Sequence, residues 1–208
     1  IKDTLKQKRP KLVTQEFAAN QMSHIYMRTD KPPFNDVRVR RAISLAFDRQ
    51  GLLDAVAEGV GVLNPAVPSA FKEWSLPVDQ LGEGAQYYKH DPARAKKLLA
   101  EAGYPNGVDI VFHEYPPIVE PAVQQTNDAI VADMAKAGFR VKRNYIGDNT
   151  VFVARVKEGK GGPVFNWSWG YYSVFDADAI LYDVFKCGES YSYYCNKELD
   201  ALLLERLG

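Results

Sequence analysis

Residues 108–146, VDIVFHEYPPIVEPAVQQTNDAIVADMAKAGFRVKRNYI, decide the fold class. VDIVFHEY (108–115) alternates apolar and polar residues as a half-buried strand does, and Pro116-Pro117 breaks it. Ala122, Val123, Thr126, Ile130 and Met134 then recur at helical spacing, predicting a helix from about Val119 to Ala137 that stops at Gly138. FRVKRNYI (139–146) reads as a second strand. Strand, long helix and strand make a βαβ unit, which requires parallel strands and a right-handed crossover.

Downstream, a helix begins at Asp148 to Thr150 and carries Val151, Phe152 and Val156 to the Gly159-Lys160-Gly161-Gly162 turn. PVFNWSW (163–169) is a third strand and DADAILYDVF (176–185) a short helix. Asn196 to Leu207 is the final helix, expected to turn Leu199, Leu202 and Leu203 inward. Upstream, Asp91 as N-cap, Pro92 at the first helical position, Ala95, Leu98, Leu99 and Ala102 on one face and Gly103 as the stop define a helix without ambiguity. Val62 to Tyr88 shows no sustained period and reads as an irregular excursion. Asp36 caps a helix that buries Val39, Ala42, Ile43, Ala46 and Phe47 and leaves Arg38, Arg40 and Arg41 in water. A further helix runs from Arg49 or Gln50 to Glu58 and is closed by Gly59 and Gly61. Met22, His24, Tyr26 and Arg28 alternate as a strand leading into the domain. The fold class is therefore α/β. In such open sheets ligands sit beyond the carboxyl ends of the strands, here at the loops His113–Ile118 and Trp169–Asp178.

The chain has 208 residues, and its 26 basic and 26 acidic side chains cancel, so no overall field holds a polyanion such as nucleic acid. No apolar run is long enough to span a bilayer, and the leading IKDTLKQKRPK is no export signal. A start on Ile and an end in LLLERLG, within a helical pattern, read as a piece of a longer protein. Aromatic residues reach 12% and crowd between Phe165 and Tyr194. Each taken alone fits core or rim packing; as a group they point to a concave ligand surface.

Catalytic constellations are missing. His24, His90 and His113 lie far apart in sequence, and with two cysteines they offer no zinc spacing. The Gly159-Lys160-Gly161-Gly162 string follows a helix and precedes a strand, the wrong order for a phosphate nest. Glu114, Glu120, Asp176 and Asp178 read as surface or capping carboxylates rather than an acid–base pair. No enzymatic role, metal or cofactor is therefore expected. Cys187 and Cys195 enclose CGESYSYYC: two thiols in a reducing compartment, or a hairpin-closing disulfide in an oxidising one.

Three long stretches carry a resemblance. KPPFNDVRVRRAISLAFDRQGLLDAV (31–56), YKHDPARAKKLLAEAGYPNG (88–107) and NKELDALL (196–203) resemble, in order and spacing, the family-5 extracellular solute-binding proteins that feed peptide, nickel and related ABC importers. The resemblance covers about Tyr26 to the C-terminus. It implies one lobe of a type II periplasmic-binding-protein clamshell, with a mixed sheet flanked by helices. Residues 1–28 would arrive from a missing first lobe or hinge, and 29–208 would form the second ligand-binding lobe, truncated at its C-terminus. The implied function is the substrate-binding component of an ABC importer, a monomer that captures a short peptide or peptide-like solute by lobe closure and delivers it to a membrane permease. The implied location is periplasmic or extracytoplasmic. The alternative is a ligand-sensing domain of a regulator, or an enzyme that reuses the lobe. The resemblance also favours the Cys187–Cys195 disulfide.

The ligand-binding residues expected are Trp167, Trp169, Gly170, Tyr171, Tyr172, Ser173 and Asp176, with Tyr115 from the other loop. Two departures bear on the ligand. In peptide-binding relatives an Asp three residues after the Trp pairs with the peptide's amino group; Tyr172 stands there, and Asp176-Ala177-Asp178 comes one residue late for the family's Asp-Pro-Asp. Some relatives place a carboxylate-gripping Arg in the loop that here reads EYPPIVEP, without Arg.

Overall fold

The computed structural model describes residues 2–13, 15, 21–63, 66–115, 123–170 and 177–205. After a short helix α1 (Lys2–Lys8), strand β1 runs Gln21–Met27. Helix α2 (Val37–Ala46) starts where the Asp36 carboxylate accepts the Arg38 amide at 2.8 Å. It buries Val39, Ala42, Ile43, Leu45 and Ala46. Helix α3 (Arg49–Ala57) is capped by Asp48, which accepts the Gly51 amide at 2.9 Å, and ends in the left-handed turn of Glu58 and Gly59. Within the irregular excursion, Val78–Gln80 and Gly82–Tyr88 are wound as 3-10 turns. Helix α4 (Pro92–Glu101) has the expected Asp91 cap, which accepts the Arg94 amide at 2.8 Å, and Gly103 follows at φ 95°, which a side chain would strain.

Strand β2 (Val108–Glu114), helix α5 (Val123–Lys136) and strand β3 (Phe139–Tyr145) form the βαβ unit, with β2 and β3 parallel from Val108↔Phe139 to Glu114↔Tyr145. Helix α6 (Asn149–Lys157) leads through the glycine turn to β4 (Val164–Gly170). Helix α7 (Asp178–Ile180) continues as a wider π turn, Leu181–Phe185, and α8 spans Lys197–Glu205. The strand order is β1-β4-β2-β3; β4 is parallel to β2, and β1 runs antiparallel to β4. The α/β mixed sheet flanked by helices is thus as expected.

Alternation along the strands divides the core between the two faces. On one face, Val108, Ile110, Phe112, Phe139 and Val164 pack with the apolar sides of α2, α4 and α5. On the other, Met22, Tyr26 and Phe165 pack with Phe152 and Val156 of α6, and with Ile180, Val184 and Tyr193. β2 and the start of β4 are packed between these layers, whereas β3 beyond Phe139 is mostly exposed.

Three expectations are corrected. Leu202 is 62% exposed while Leu203 is buried: α8 presents the Leu199–Leu203 stripe, and a residue one position off it is rotated about 100° away. On α5 the fully inward residue is Asn127, not Thr126, because Asn166 of β4 donates to the Asn127 side chain at 3.0 Å and accepts from Ser23 at 2.8 Å. His113 and Glu114 belong to β2, so the loop after it begins at Tyr115. Pro116 to Ala122, with the expected start of the following helix, lies outside the described residues.

Candidate functional site

Three parallel strands end at one edge. β2 ends at Glu114, β3 at Tyr145 and β4 at Gly170, where antiparallel β1 begins with Gln21 opposite Gly170. The Ile146 amide donates to the Glu114 carbonyl at 2.8 Å and carries the β2–β3 pairing past the last strand residue. Asp148 caps α6 directly above this edge, accepting the Val151 amide at 2.9 Å.

Trp167 is half-buried and built into an aromatic stack. Its ring lies 6.0 Å from Phe152, 6.2 Å from Tyr26 and 5.4 Å from Tyr191, at tilted or edge-on angles that suit aromatic quadrupoles. Phe152 is fully buried and also meets Phe165 and Tyr115. Tyr115, expected to face ligand, is only 2% exposed and packs on Phe152 at 5.3 Å, beneath the edge. Trp169 and Gly170 continue β4 to its tip, their backbones paired with Met22 and Gln21. Tyr171, Tyr172, Ser173 and Asp176 lie outside the described residues, as does Glu120; Asp178 opens α7.

Charge at the edge is already committed. Glu114 is 3% exposed, and both its oxygens accept from the Arg143 guanidinium of β3, whose remaining Nη1 donates to Asp128 at 2.5 Å. These carboxylates hold the Arg143 guanidinium firmly protonated. Glu114 is thus a structural ion-pair partner, and the arginine at this edge has its fork occupied. Sequence reading missed this pair because its members are 29 residues apart and meet only through the β2–β3 register.

The segment behind Trp167 is tied down covalently. Cys187 and Cys195 form a disulfide across a separation of eight residues, as the resemblance implied. The enclosed loop supplies Tyr191, with the Lys157 ammonium 5.7 Å above its ring, and Tyr193. The Tyr193 hydroxyl donates to the Val156 carbonyl at 2.9 Å and accepts the Gly161 amide at 3.1 Å, fastening the loop to the turn between α6 and β4. Asp200 of α8 accepts the Cys187 amide at 2.9 Å, which lowers its carboxyl pKa. Sequence reading had marked this stretch as aromatic-rich; the partner it lacked was β1, which adds Tyr26, stacked on Phe165 at 4.9 Å.

A hollow of about 370 Å³ lies at the other end of β4, lined by Arg28, Asp30, Lys157, Gly159 and Tyr193 among others. Arg28 there is satisfied by Asp30 and the Gly159 carbonyl. Among the described residues no group of three or more His, Cys, Asp or Glu is placed to hold a metal, and no helix is long and apolar enough to cross a membrane.

A mixed sheet flanked by helices is the lobe architecture of periplasmic binding proteins. The chain belongs to the bacterial extracellular solute-binding proteins, family 5, whose middle-region model matches residues 2–192. It is 34% identical over 206 residues to "Heme-binding protein A" of Haemophilus influenzae, covering 96% of this chain and 36% of that protein. The solved structure of HbpA2 from Haemophilus parasuis superposes with a TM-score of 0.80 at 28% identity, covering 98% of this chain and 39% of that one. The dipeptide-binding protein of Pseudoalteromonas sp. SM9913, solved in complex with Met-Leu, gives 0.76 at 26% identity, covering 92% and 38%. The chain thus spans little more than a third of the length of these relatives.

Proposed function

We propose that this chain is the second ligand-binding lobe, residues 29–208 following a leading segment 1–28, of the substrate-binding component of an ABC importer. It captures a short peptide or peptide-like solute in a cleft between two lobes, outside the cytoplasm, and presents the closed form to a membrane permease with no bond in the solute changed. The observation that carries this reading is the half-buried Trp167 in the middle of β4, one step past the last residue of the neighbouring β2 and held from behind by Phe152, Tyr26 and Tyr191. The relative solved with Met-Leu supports a peptide as the solute class.

The residues expected to contact the solute are Trp169, Gly170, Tyr171, Tyr172, Ser173 and Asp176, with Trp167 and Tyr115 supporting the site from within the lobe. Aromatic faces hold a solute by apolar area and tolerate varied side chains. Tyr172 offers a hydroxyl rather than a carboxylate to an ammonium, and Arg143, among the described residues at this edge, is engaged by Glu114. Recognition leans on backbone groups and ring faces.

The test is to express the protein at family length, identify co-purifying small molecules by native mass spectrometry, and titrate di- and tripeptides and hemin by calorimetry. Peptides or peptide-like molecules are expected, and Trp169→Ala and Tyr172→Ala should each weaken binding at least about tenfold, roughly 1.4 kcal/mol. Both variants holding the same ligand at unchanged affinity overturns the site; preference for hemin overturns the solute class.

A further inference from the structure

Four arginines of the lobe are held by carboxylates: Arg28 by Asp30, Arg38 by Asp36, Arg140 by Asp109, and Arg143 by Glu114 and Asp128. Arg41 of α2 and Arg94 of α4 are held differently. Their guanidinium carbons lie 4.6 and 5.1 Å from the centre of one ring, that of Tyr87. The ring quadrupole attracts a guanidinium to the aromatic face and leaves its N–H edge free to donate. Each guanidinium carries five N–H donors. Arg94 gives one of them to the Gln86 side chain at 2.6 Å, and Arg41 gives none to any described residue.

The turn that presents Tyr87 is braced by a third arginine. Arg49 donates to the Ser44 carbonyl and hydroxyl, each at 2.8 Å, and to the Tyr88 carbonyl at 3.3 Å, while the Ser44 hydroxyl donates to the Tyr87 carbonyl at 2.7 Å. Tyr87 is therefore a fixed, half-buried platform that one arginine reaches from α2 and another from α4. The acidic side chains nearest in sequence neutralise neither of them. The Asp91 carboxylate caps α4 by accepting the Arg94 amide at 2.8 Å, and exposed Glu83 enters no ion pair among the described residues. Lys97, one turn along α4 from Arg94, and Lys89 are exposed and likewise form no ion pair among the described residues. Like charges gathered at one ring repel, and an anion placed between them relieves that repulsion.

We propose that Arg41 and Arg94, set on the Tyr87 platform, bind a dianionic phosphate group. A single carboxylate is enough for a single fork, as Glu114 shows by taking both of its bonds from Arg143. Two forks call for more acceptor oxygens and a second negative charge, which a phosphate supplies. The two guanidinium carbons are at most about 10 Å apart, the sum of their distances to the ring centre. A phosphate accepting N–H bonds of about 2.8 Å sits about 4 Å from each carbon, so a small swing of the exposed Arg41 side chain lets it bridge the pair. The group is carried either by a small molecule in solution or by a lipid headgroup; the recognition chemistry is the same.

This site is independent of solute identity, and arginine labelling with phenylglyoxal, resolved by peptide mass spectrometry on the protein at family length, tests it. The reaction is run at about pH 8, where phosphate is dianionic, and at constant ionic strength, so that screening is the same in every sample. Inorganic phosphate should halve the labelling rate of Arg41 and Arg94 together at a concentration at least about tenfold below the acetate that does the same, and leave Arg28 and Arg140, already paired, unchanged. Arg41→Gln should remove the protection of Arg94, because one fork is left to do the work of two. Vesicles of phosphatidic acid, compared with phosphatidylcholine, separate the sources. Protection at a lower concentration of lipid phosphate than of free phosphate assigns the group to a membrane, and the reverse order assigns it to a solute. The proposal is overturned by no protection from either form, by acetate protecting as well as phosphate, or by Arg94 staying protected in Arg41→Gln. Should that variant fail to fold, the phosphate and acetate series on the unmodified protein decide alone.

Discussion

Replacing both Cys187 and Cys195 with serine removes the tie behind the aromatic wall. The cross-link closes a loop of about nine residues, and the chain-entropy relation for a loop of that size gives about 2.5 kcal/mol at 25 °C. Native contacts should change little. Cys195 is exposed and Cys187 partly so, leaving the serine hydroxyls access to water, and the Tyr193 bonds to Val156 and Gly161 do not depend on the sulfurs. The loss therefore arises mainly in the unfolded chain, which regains the freedom the bridge had removed. Urea unfolding followed by tryptophan fluorescence should show a midpoint lowered by about 1 M, taking a slope of roughly 2 to 3 kcal/mol/M. Wild-type protein unfolded in dithiothreitol should match the double variant. A loss below about 0.5 kcal/mol would refute the loop-entropy reasoning. A loss above about 5 kcal/mol would show instead that the loop's packing on Phe165 and Trp167 had collapsed.

Two further perturbations probe buried charge. Arg143→Met strands the Glu114 carboxylate, 3% exposed, without its fork and should cost about 3 kcal/mol in chemical denaturation; adding Glu114→Leu should recover most of that, since an apolar pair of similar volume needs no desolvation. No recovery in the double variant would mean that the pair contributes more than mutual compensation. Burial lowers the His24 pKa to about 4, below its unfolded value of 6.5, so the unfolded chain binds the extra proton between those values. Stability is flat above pH 6.5 on this account and falls as pH drops toward 4, by about 2.5 kcal/mol at pH 4.5. His113, lowered by partial burial and by Arg155, adds a slope of the same sign, so the His24 share is read as wild type minus His24→Asn across the pH series. Equal slopes in the two proteins would show that His24 takes up its proton without penalty in the folded state.

Local features were legible in the sequence because their physics is local. The Asp91, Pro92 and Gly103 signals bound α4 where capping and steric rules place its ends, and the alternation of VDIVFHEY is β2 itself. What the sequence hid depends on register or on polar groups at core positions. Asn127 and Asp133 break the apolar stripe of α5, yet both point inward: Asn127 closes the chain from Ser23 through Asn166, and Asp133 accepts the Asp48 amide at 3.0 Å, fixing the start of α3. No periodicity finds such residues, since their partners come from strands and caps 39 to 85 positions away. At the candidate site, Trp167 and the aromatic stretch were visible, whereas Tyr26 and Phe152 entered only when pairing of β1 with β4 and packing of α6 brought them under the wall.

Strand β4 shows how the side chains of this lobe are committed to its two layers. Its even-numbered residues, Val164 and Asn166, face the layer of α2, α4 and α5, and its odd-numbered residues, Phe165 and Trp167, face the layer built from α6 and the disulfide loop. Neither face is free for a solute over the first part of the strand. Substitutions at Val164, Phe165 and Asn166 are therefore felt in stability first.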